Sequence, residues 1–156
     1  MIITKKIVIN KPADHVWEIL AHDFDSVYQW MGPVRHSYAI SAQQHTQGAP
    51  VEGRICEFTD KPNGFQASEI ITHYNEENKS YTFELTPINA PKLLPVKKNT
   101  VQIAVKAVNP SSAEVTWIST PDIKPIATLL SPLLKMGLGK SFGDILKQLK
   151  TFAETP

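Results

Sequence analysis

From residue 34 to residue 120 apolar and polar side chains alternate in short runs, the period-two pattern of strands with one covered face. Tyr81, Phe83 and Leu85 oppose Ser80, Thr82 and Glu84. Val101, Ile103 and Val105 oppose Gln102 and Lys106, and Val115 and Trp117 oppose Glu114 and Thr116, with Ile118 breaking the pattern. These runs predict strands near 34–43, 53–59, 65–74, 79–86, 99–108 and 112–120, and the β-branched stretch 2–9 predicts one more. Asn75-Glu76-Glu77-Asn78 and Asn109-Pro110-Ser111 have turn chemistry between alternating runs, so the strands form hairpins and the sheet is antiparallel. Two short helices are expected after the first strand. Asn10 is the candidate cap of the first, in which Val16, Ile19 and Leu20 share a face beside Trp17; the second spans Asp25 to Met31 and ends at Gly32-Pro33.

At the C-terminus the period changes to that of a helix. Leu138, Phe142, Ile145, Leu146, Leu149 and Phe152 form a stripe, with Lys140, Lys147 and Lys150 on or toward the other face. A sheet with one apolar face has to be covered, and this helix is the element available to cover it. Upstream, Ile126, Leu129, Leu130, Leu133 and Leu134 continue the apolar character, and Pro132 implies a kink or a separate preceding turn. Gly137, Gly139 and Gly143 weaken the helix and call for a reason, either room for a ligand or a loop at 137–139 joining two helices. The stretch Thr86 to Asn99 contains three prolines and reads as a long loop, either a flap over an opening or a tolerated insertion.

Composition narrows the function. The chain of 156 residues is one domain's worth, 1–156, with 16 basic and 15 acidic side chains and no basic stripe, so nucleic acid is not an expected partner. No apolar stretch approaches the length of a membrane span. The first residues read as a strand, not a signal peptide, and the lone Cys56 fits a reducing compartment, so a cytoplasmic location is expected.

Five histidines (His15, His22, His36, His45 and His73) show no metal-binding spacing, and no nucleotide or nucleophile motif occurs, so neither metal nor cofactor is expected. Cys56, mid-strand, reads as a small buried hydrophobe. Ala67, Glu69 and Ile71 share a parity, which places a carboxylate on the apolar face or, alternatively, at a solvated or lysine-paired rim. Enclosed by apolar groups, its charged form would be disfavoured and it could move a proton. Alternation of Val34, His36, Tyr38 and Ile40 puts His36 inward in preference to Arg35, where a basic group could meet an acidic ligand head. Tyr81, Phe83, Trp117, Leu138 and Phe142 with Glu69 have the composition of an apolar small-molecule pocket with a few polar handles, although core packing is the favoured reading of Trp117.

The opening Ile7-Val8-Ile9-Asn10-Lys11-Pro12-Ala13-Asp14-His15-Val16-Trp17-Glu18-Ile19-Leu20 resembles the start of the START-like superfamily, which includes the polyketide cyclase/dehydrase-like proteins, the birch-pollen-allergen-like proteins and the plant abscisic-acid receptors. Trp30 is similarly placed to that family's tryptophan after the second short helix, and Gly53-Arg54-Ile55 resembles its strand entry with the arginine displaced. Ser68-Glu69-Ile70 followed by Asn75 to Phe83 resembles its central hairpin, and Ile145 to Lys150 with Glu154 its closing helix. The resemblance implies an α+β helix-grip fold, a curved seven-stranded antiparallel sheet wrapped on the last helix around a cavity. It also places Glu69 where the abscisic-acid receptors have a ligand-facing glutamate. The expected function is binding of a small hydrophobic molecule, as carrier or sensor, by Glu69, Ile71, Tyr81, Phe83, Trp117, Leu138, Phe142, Trp30 and His36. The rival expectations are a cyclase or dehydrase using Glu69 or a histidine, and a protein-interaction module; a homodimer is left open.

Overall fold

The computed structural model describes residues 1–43 and 45–156. Seven strands, β1 (Ile3–Ile9), β2 (His36–Ile40), β3 (Gly53–Glu57), β4 (Gln66–Asn75), β5 (Ser80–Ile88), β6 (Val96–Asn109) and β7 (Ser112–Ile123), form one sheet in the order β1-β7-β6-β5-β4-β3-β2. All neighbours pair antiparallel, as the hairpin links require. Every sequential pair from β2 to β7 is adjacent, and β1 closes on β7, so the sheet can curl around one covering helix. That helix, α2 (Ser131–Glu154), is continuous.

Of the two alternatives at Pro132 the separate preceding turn holds, since Pro132 lies in the first turn of α2, where its missing N–H breaks no bond. A separate 3₁₀ turn, Pro125–Leu130, precedes it, and no loop interrupts 137–139. At the other end of the chain α1 (Ala13–Trp17) widens into a π turn, Glu18–His22, and the second short helix is a 3₁₀ helix, Phe24–Gln29. Asn10 does not cap α1; the chain enters through Pro12, whose carbonyl accepts from the N–H groups of His15 and Val16 at 3.0 and 3.2 Å.

The loop predicted over Thr86–Asn99 shrinks to residues 89–95, because β5 runs through Pro87 and β6 begins at Val96. Pairing of β5 with β6 ends at Leu85–Asn99, so Pro87 sits where its strand is paired on β4 alone. Likewise Pro121 lies inside β7 but beyond its pairing with β1, which ends at Ile3–Ser119. Proline is tolerated in a strand where one neighbour has left.

The core lies between the sheet's inner face and the helices. Ile9, Ile71, Phe83, Val101, Ile103, Val115, Leu146 and Leu149 are essentially inaccessible, with Val16, Trp17, Leu20 and Phe24 from the short helices. A bulge between Ile71 and His73 shifts the parity of β4, so Tyr74 as well as Ile71 turns inward, and its ring lies 5.6 Å from Trp17.

Candidate functional site

Register arranges the inner face in cross-strand rows. Arg54, Glu69, Leu85, Asn99 and Pro121 form one, from β3 to β7. Ile71, Phe83, Val101, Ser119 and Ile3 form the next, and Tyr74, Tyr81, Ile103, Trp117 and Lys5 the one after that. Charge and amide groups are thus gathered in the row at one end of the sheet, with aromatic rings behind them.

The position of α2 over these rows is fixed by three contacts. The Lys150 ammonium donates to the Val8 carbonyl at 2.7 Å, Phe142 stacks on Trp117 at 5.6 Å between centroids, and Gly139 lies over Ile3 and Lys5. The helix therefore runs back along β1, and residues before Gly139 extend past the Ile3 row over the polar end of the sheet. There the cover is loose. Although Leu133, Leu134, Met136 and Leu138 are apolar, no residue from Ser131 to Leu138 is buried, whereas Gly139, Phe142, Leu146, Leu149 and Ala153 are. Leu85, Leu138 and Ile145 are only partly buried against the core. A side-chain carbon at Gly137 or Gly143 would touch nothing within 4 Å.

On the inner face at this end of the sheet the polar groups are tightly specified. Glu69 is not isolated: Arg54, opposite it on β3, donates through Nε and Nη2 to the same carboxylate oxygen, each at 2.5 Å. The Arg54 Nη1 donates to the Phe24 carbonyl at 2.6 Å, and the guanidinium lies 3.8 Å over the Phe24 ring. Both residues are about 5% exposed or less, so this is a buried, hydrogen-bonded ion pair. The Ser119 hydroxyl donates to Asn99 Oδ1 at 2.8 Å, both residues being buried. One donor is left over: the buried indole Nε1 of Trp117 has no partner. The Tyr81 hydroxyl is occupied, donating to the Leu20 carbonyl at 2.9 Å, and burial pushes its pKa upward. Burial, and then the nearby Glu69 charge, push the Cys56 thiol up to about 12, which removes it as a nucleophile at neutral pH.

Seven of the nine expected residues meet on this inner face or its covering helix: Glu69, Ile71, Tyr81, Phe83, Trp117, Leu138 and Phe142. His36 does not. Its side chain is 59% exposed and bonds Asp60 at 2.9 Å, because the parity of β2 is the reverse of the expected one. Ser37 is the inward residue, donating to the Asp25 carbonyl at 2.6 Å. Trp30 also lies elsewhere, in a surface groove of about 450 Å³ with Gln29, Lys147, Gln148, Thr151 and Phe152 beside the end of α2. A second concavity of about 640 Å³ is on the outer face of the sheet, with Thr82, Gln102, Ala104, Thr116 and Ile118 among its walls. Arg54, Asn99 and Ser119 were not singled out as inward polar residues by alternation; the one available signal was that Arg54 and Glu69 flank the same hairpin.

His22 clamps the short helices to the hairpin. Its Nδ1 bonds Glu18, and its Nε2 bonds Glu76 at 2.5 Å; Glu76 also accepts from Trp17 Nε1 at 2.9 Å and from the Tyr74 hydroxyl. The hydrogen bond that His22 donates to Glu18 is the largest effect and, with the one to Glu76, holds the His22 pKa above its ordinary 6.5 against the opposing effect of burial. Burial works to raise that of Glu76, but the hydrogen bonds from Tyr74, Trp17 and His22 outweigh it and hold the carboxyl below its ordinary 4.5. A raised histidine stabilises the fold fully below 6.5 and loses that contribution as pH rises through the folded value; a lowered glutamate stabilises above 4.5 and loses it as pH falls. The clamp is therefore strongest between those two values. The Tm difference between wild type and His22→Gln should be larger at pH 5.5, a point within about a unit of both, than at alkaline pH. A difference independent of pH would contradict the clamp.

Sheet order, the long closing helix and the paired short helices after β1 define a helix-grip protein of the START-like type. The family described as polyketide cyclase / dehydrase and lipid transport matches residues 1–154, and the chain belongs to that family. Among curated proteins no relative is found. A crystal structure of a protein from Bacillus thuringiensis is 22% identical, with a TM-score of 0.70 over 99% of this chain and 100% of that one. Ara h 8.0201 is 12% identical with a TM-score of 0.71, covering 98% of this chain and 97% of the other. Norcoclaurine synthase from Thalictrum flavum is 17% identical with a TM-score of 0.65, covering 99% and 87%. At these identities the likeness shows the fold alone. No helix among the described residues is long and apolar enough to cross a membrane, and no cluster of metal-ligating groups occurs among them.

Proposed function

We propose that the protein binds a small, mainly apolar molecule with one polar group, as a carrier or sensor, between the polar end of the inner sheet face and the first half of α2. The observation that carries this reading is the orphan Trp117 Nε1–H, buried against Phe142 one turn of α2 past the unburied residues 131–138. A buried donor without a partner costs about 1–3 kcal/mol, and a ligand acceptor placed there would recover it. Asn99, with its oxygen already taken by Ser119, still has an amide NH₂ to offer, and Leu85, Leu138 and Ile145 supply apolar wall that folding leaves incompletely buried. Desolvation of the ligand's apolar part against these side chains provides the affinity, and the polar groups set its orientation.

An acid–base role for Glu69 has less behind it. Its carboxylate is engaged by a permanently charged guanidinium, and each of the five histidines is away from it: His15 bonds the Ala153 carbonyl, His22, His36 and His45 bond carboxylates elsewhere, and His73 bonds Thr72.

The test is Trp117→Phe, which keeps an aromatic ring against Phe142 but removes the donor. Titration with a hydrophobic naphthalene-sulfonate dye should show affinity falling by about twofold to tenfold, the worth of one hydrogen bond. Thermal stability should fall by less than a buried large-to-small exchange usually costs, since loss of the unmet donor offsets part of the cavity. Unchanged affinity would mean that the indole only packs the core.

A further inference from the structure

The five most exposed large apolar side chains among the described residues all lie at one end of the molecule, in the loop 89–95 and around the start of α2. Leu93 in the loop 89–95 and Ile126, Leu129, Leu133 and Met136 before and within the first half of α2 are 61% to 94% exposed. Leu129, Leu133 and Met136 step by four and three along one outward stripe. The two segments are tied together at Lys124, whose N–H donates to the Pro95 carbonyl at 2.8 Å and whose ammonium reaches the Lys92 carbonyl at 3.4 Å. Charge is segregated to match. Residues 85–98 and 123–143 contain six lysines (Lys92, Lys97, Lys98, Lys124, Lys135 and Lys140) and no acidic residue, while the rest of the chain holds ten basic and fifteen acidic residues. Two of the six are engaged at the margin, Lys98 by Glu84 and Lys140 by Asp144.

An apolar knob whose own segments carry only cations, with Glu84, Asp122 and Asp144 at their margins, has a specific complement. A second copy applied to the same patch would set lysine against lysine, which opposes a symmetric dimer through this face. An anionic bilayer satisfies both features, taking the leucines and methionine into its interfacial region and the lysines at its headgroups. We propose that this end of the protein docks on membrane surfaces rich in anionic phospholipid. The surface stands on exposure and charge and does not need the ligand reading; its purpose rests on that reading, because docking would turn the loosely covered start of α2 toward the lipid and let an apolar ligand pass without crossing water.

The test is co-sedimentation with vesicles of phosphatidylcholine alone and of an equimolar mixture with phosphatidylglycerol, at low and high ionic strength. Wild type should bind the anionic vesicles at least about tenfold more strongly, and lose most of that advantage in high salt. Leu129→Glu/Leu133→Glu and, separately, Lys124→Glu/Lys135→Glu should each weaken binding by about tenfold or more. Leu129, Leu133 and Lys135 are exposed and Lys124 is half-buried, so both variants should keep the wild-type Tm. Vesicle binding that is absent, indifferent to lipid charge or unmoved by either variant overturns the inference. If dye binding survives in that case, only docking has failed; if the dye fails to bind while vesicle binding behaves as expected, the ligand reading has failed and docking stands. A leucine-dependent dimer by sedimentation velocity, without vesicle binding, assigns the patch to a second copy and also overturns it.

Discussion

Replacing Arg54 by Met should cost about 3–5 kcal/mol of folding stability, the usual penalty for breaking a buried ion pair by removing one partner. The arginine is 4% exposed and Glu69 5%, so neither charge has water to fall back on. Methionine fills part of the volume and keeps the contact with Phe24, but it leaves the carboxylate beside Leu85 and near Cys56 with no donor from β3. The Phe24 carbonyl loses its partner too. The double variant Arg54→Met/Glu69→Leu should recover most of the loss, because the desolvation cost of both charges disappears with them. Urea denaturation of the four proteins in the cycle measures this directly. A single variant within about 1 kcal/mol of wild type would show that the pair is not desolvated.

Gly53→Ala should be the second severe substitution, although the change is one methyl group. A Cβ at Gly53 would stand 2.6 Å from the Glu69 carbonyl oxygen and 2.8 Å from the Ile70 side chain, with the Ile70 Cα at 3.3 Å. Two of these three neighbours are backbone, so relief requires moving β3 away from β4. Overpacking of this kind costs about 1–3 kcal/mol or more. The displaced strand is also the one that carries Arg54, so the ion pair is strained with it. By contrast, alanine at Gly137 meets open space and should be neutral or slightly stabilising, since glycine within a helix costs about 1 kcal/mol. Equal Tm values for Gly53→Ala and Gly137→Ala would contradict this account of the strand contact.

The parts of the fold that could be read from the chain were those in which one property repeats along a segment. Tyr81, Phe83 and Leu85, Val101, Ile103 and Val105, and Val115 and Trp117 alternate cleanly because one side of their strands is covered, and they face inward as expected. The stripe from Leu138 to Leu149 packs inward for the same reason, whereas Phe152, at its end, is 36% exposed. His36 misled because β2 is an edge strand with few covered residues on either side, so its alternation carries no information about which face is inside. Arg54 and Asn99 were illegible as site residues for a different reason. A polar residue on an inner face looks like any surface residue until register shows what stands opposite it, and register depends on pairings between distant segments. The bulge that turns Tyr74 inward, and the departure of neighbouring strands that admits Pro87 and Pro121, are also properties of pairing. Which alternative held at Pro132, a kink or a separate preceding turn, depended on where the first turn begins, a boundary that local sequence places only to within a few residues.

The interior row of Arg54, Glu69, Leu85 and Asn99, the orphan indole behind it and the unburied start of α2 together define the proposed binding region. The most direct measurement is the ¹H–¹⁵N spectrum of the three tryptophan indoles during titration with the naphthalene-sulfonate dye. The account predicts that the Trp117 indole signal moves to saturation as its N–H gains an acceptor, while that of Trp30, in the groove beside the end of α2, stays in place. A saturating shift at Trp30 with Trp117 unmoved would contradict it.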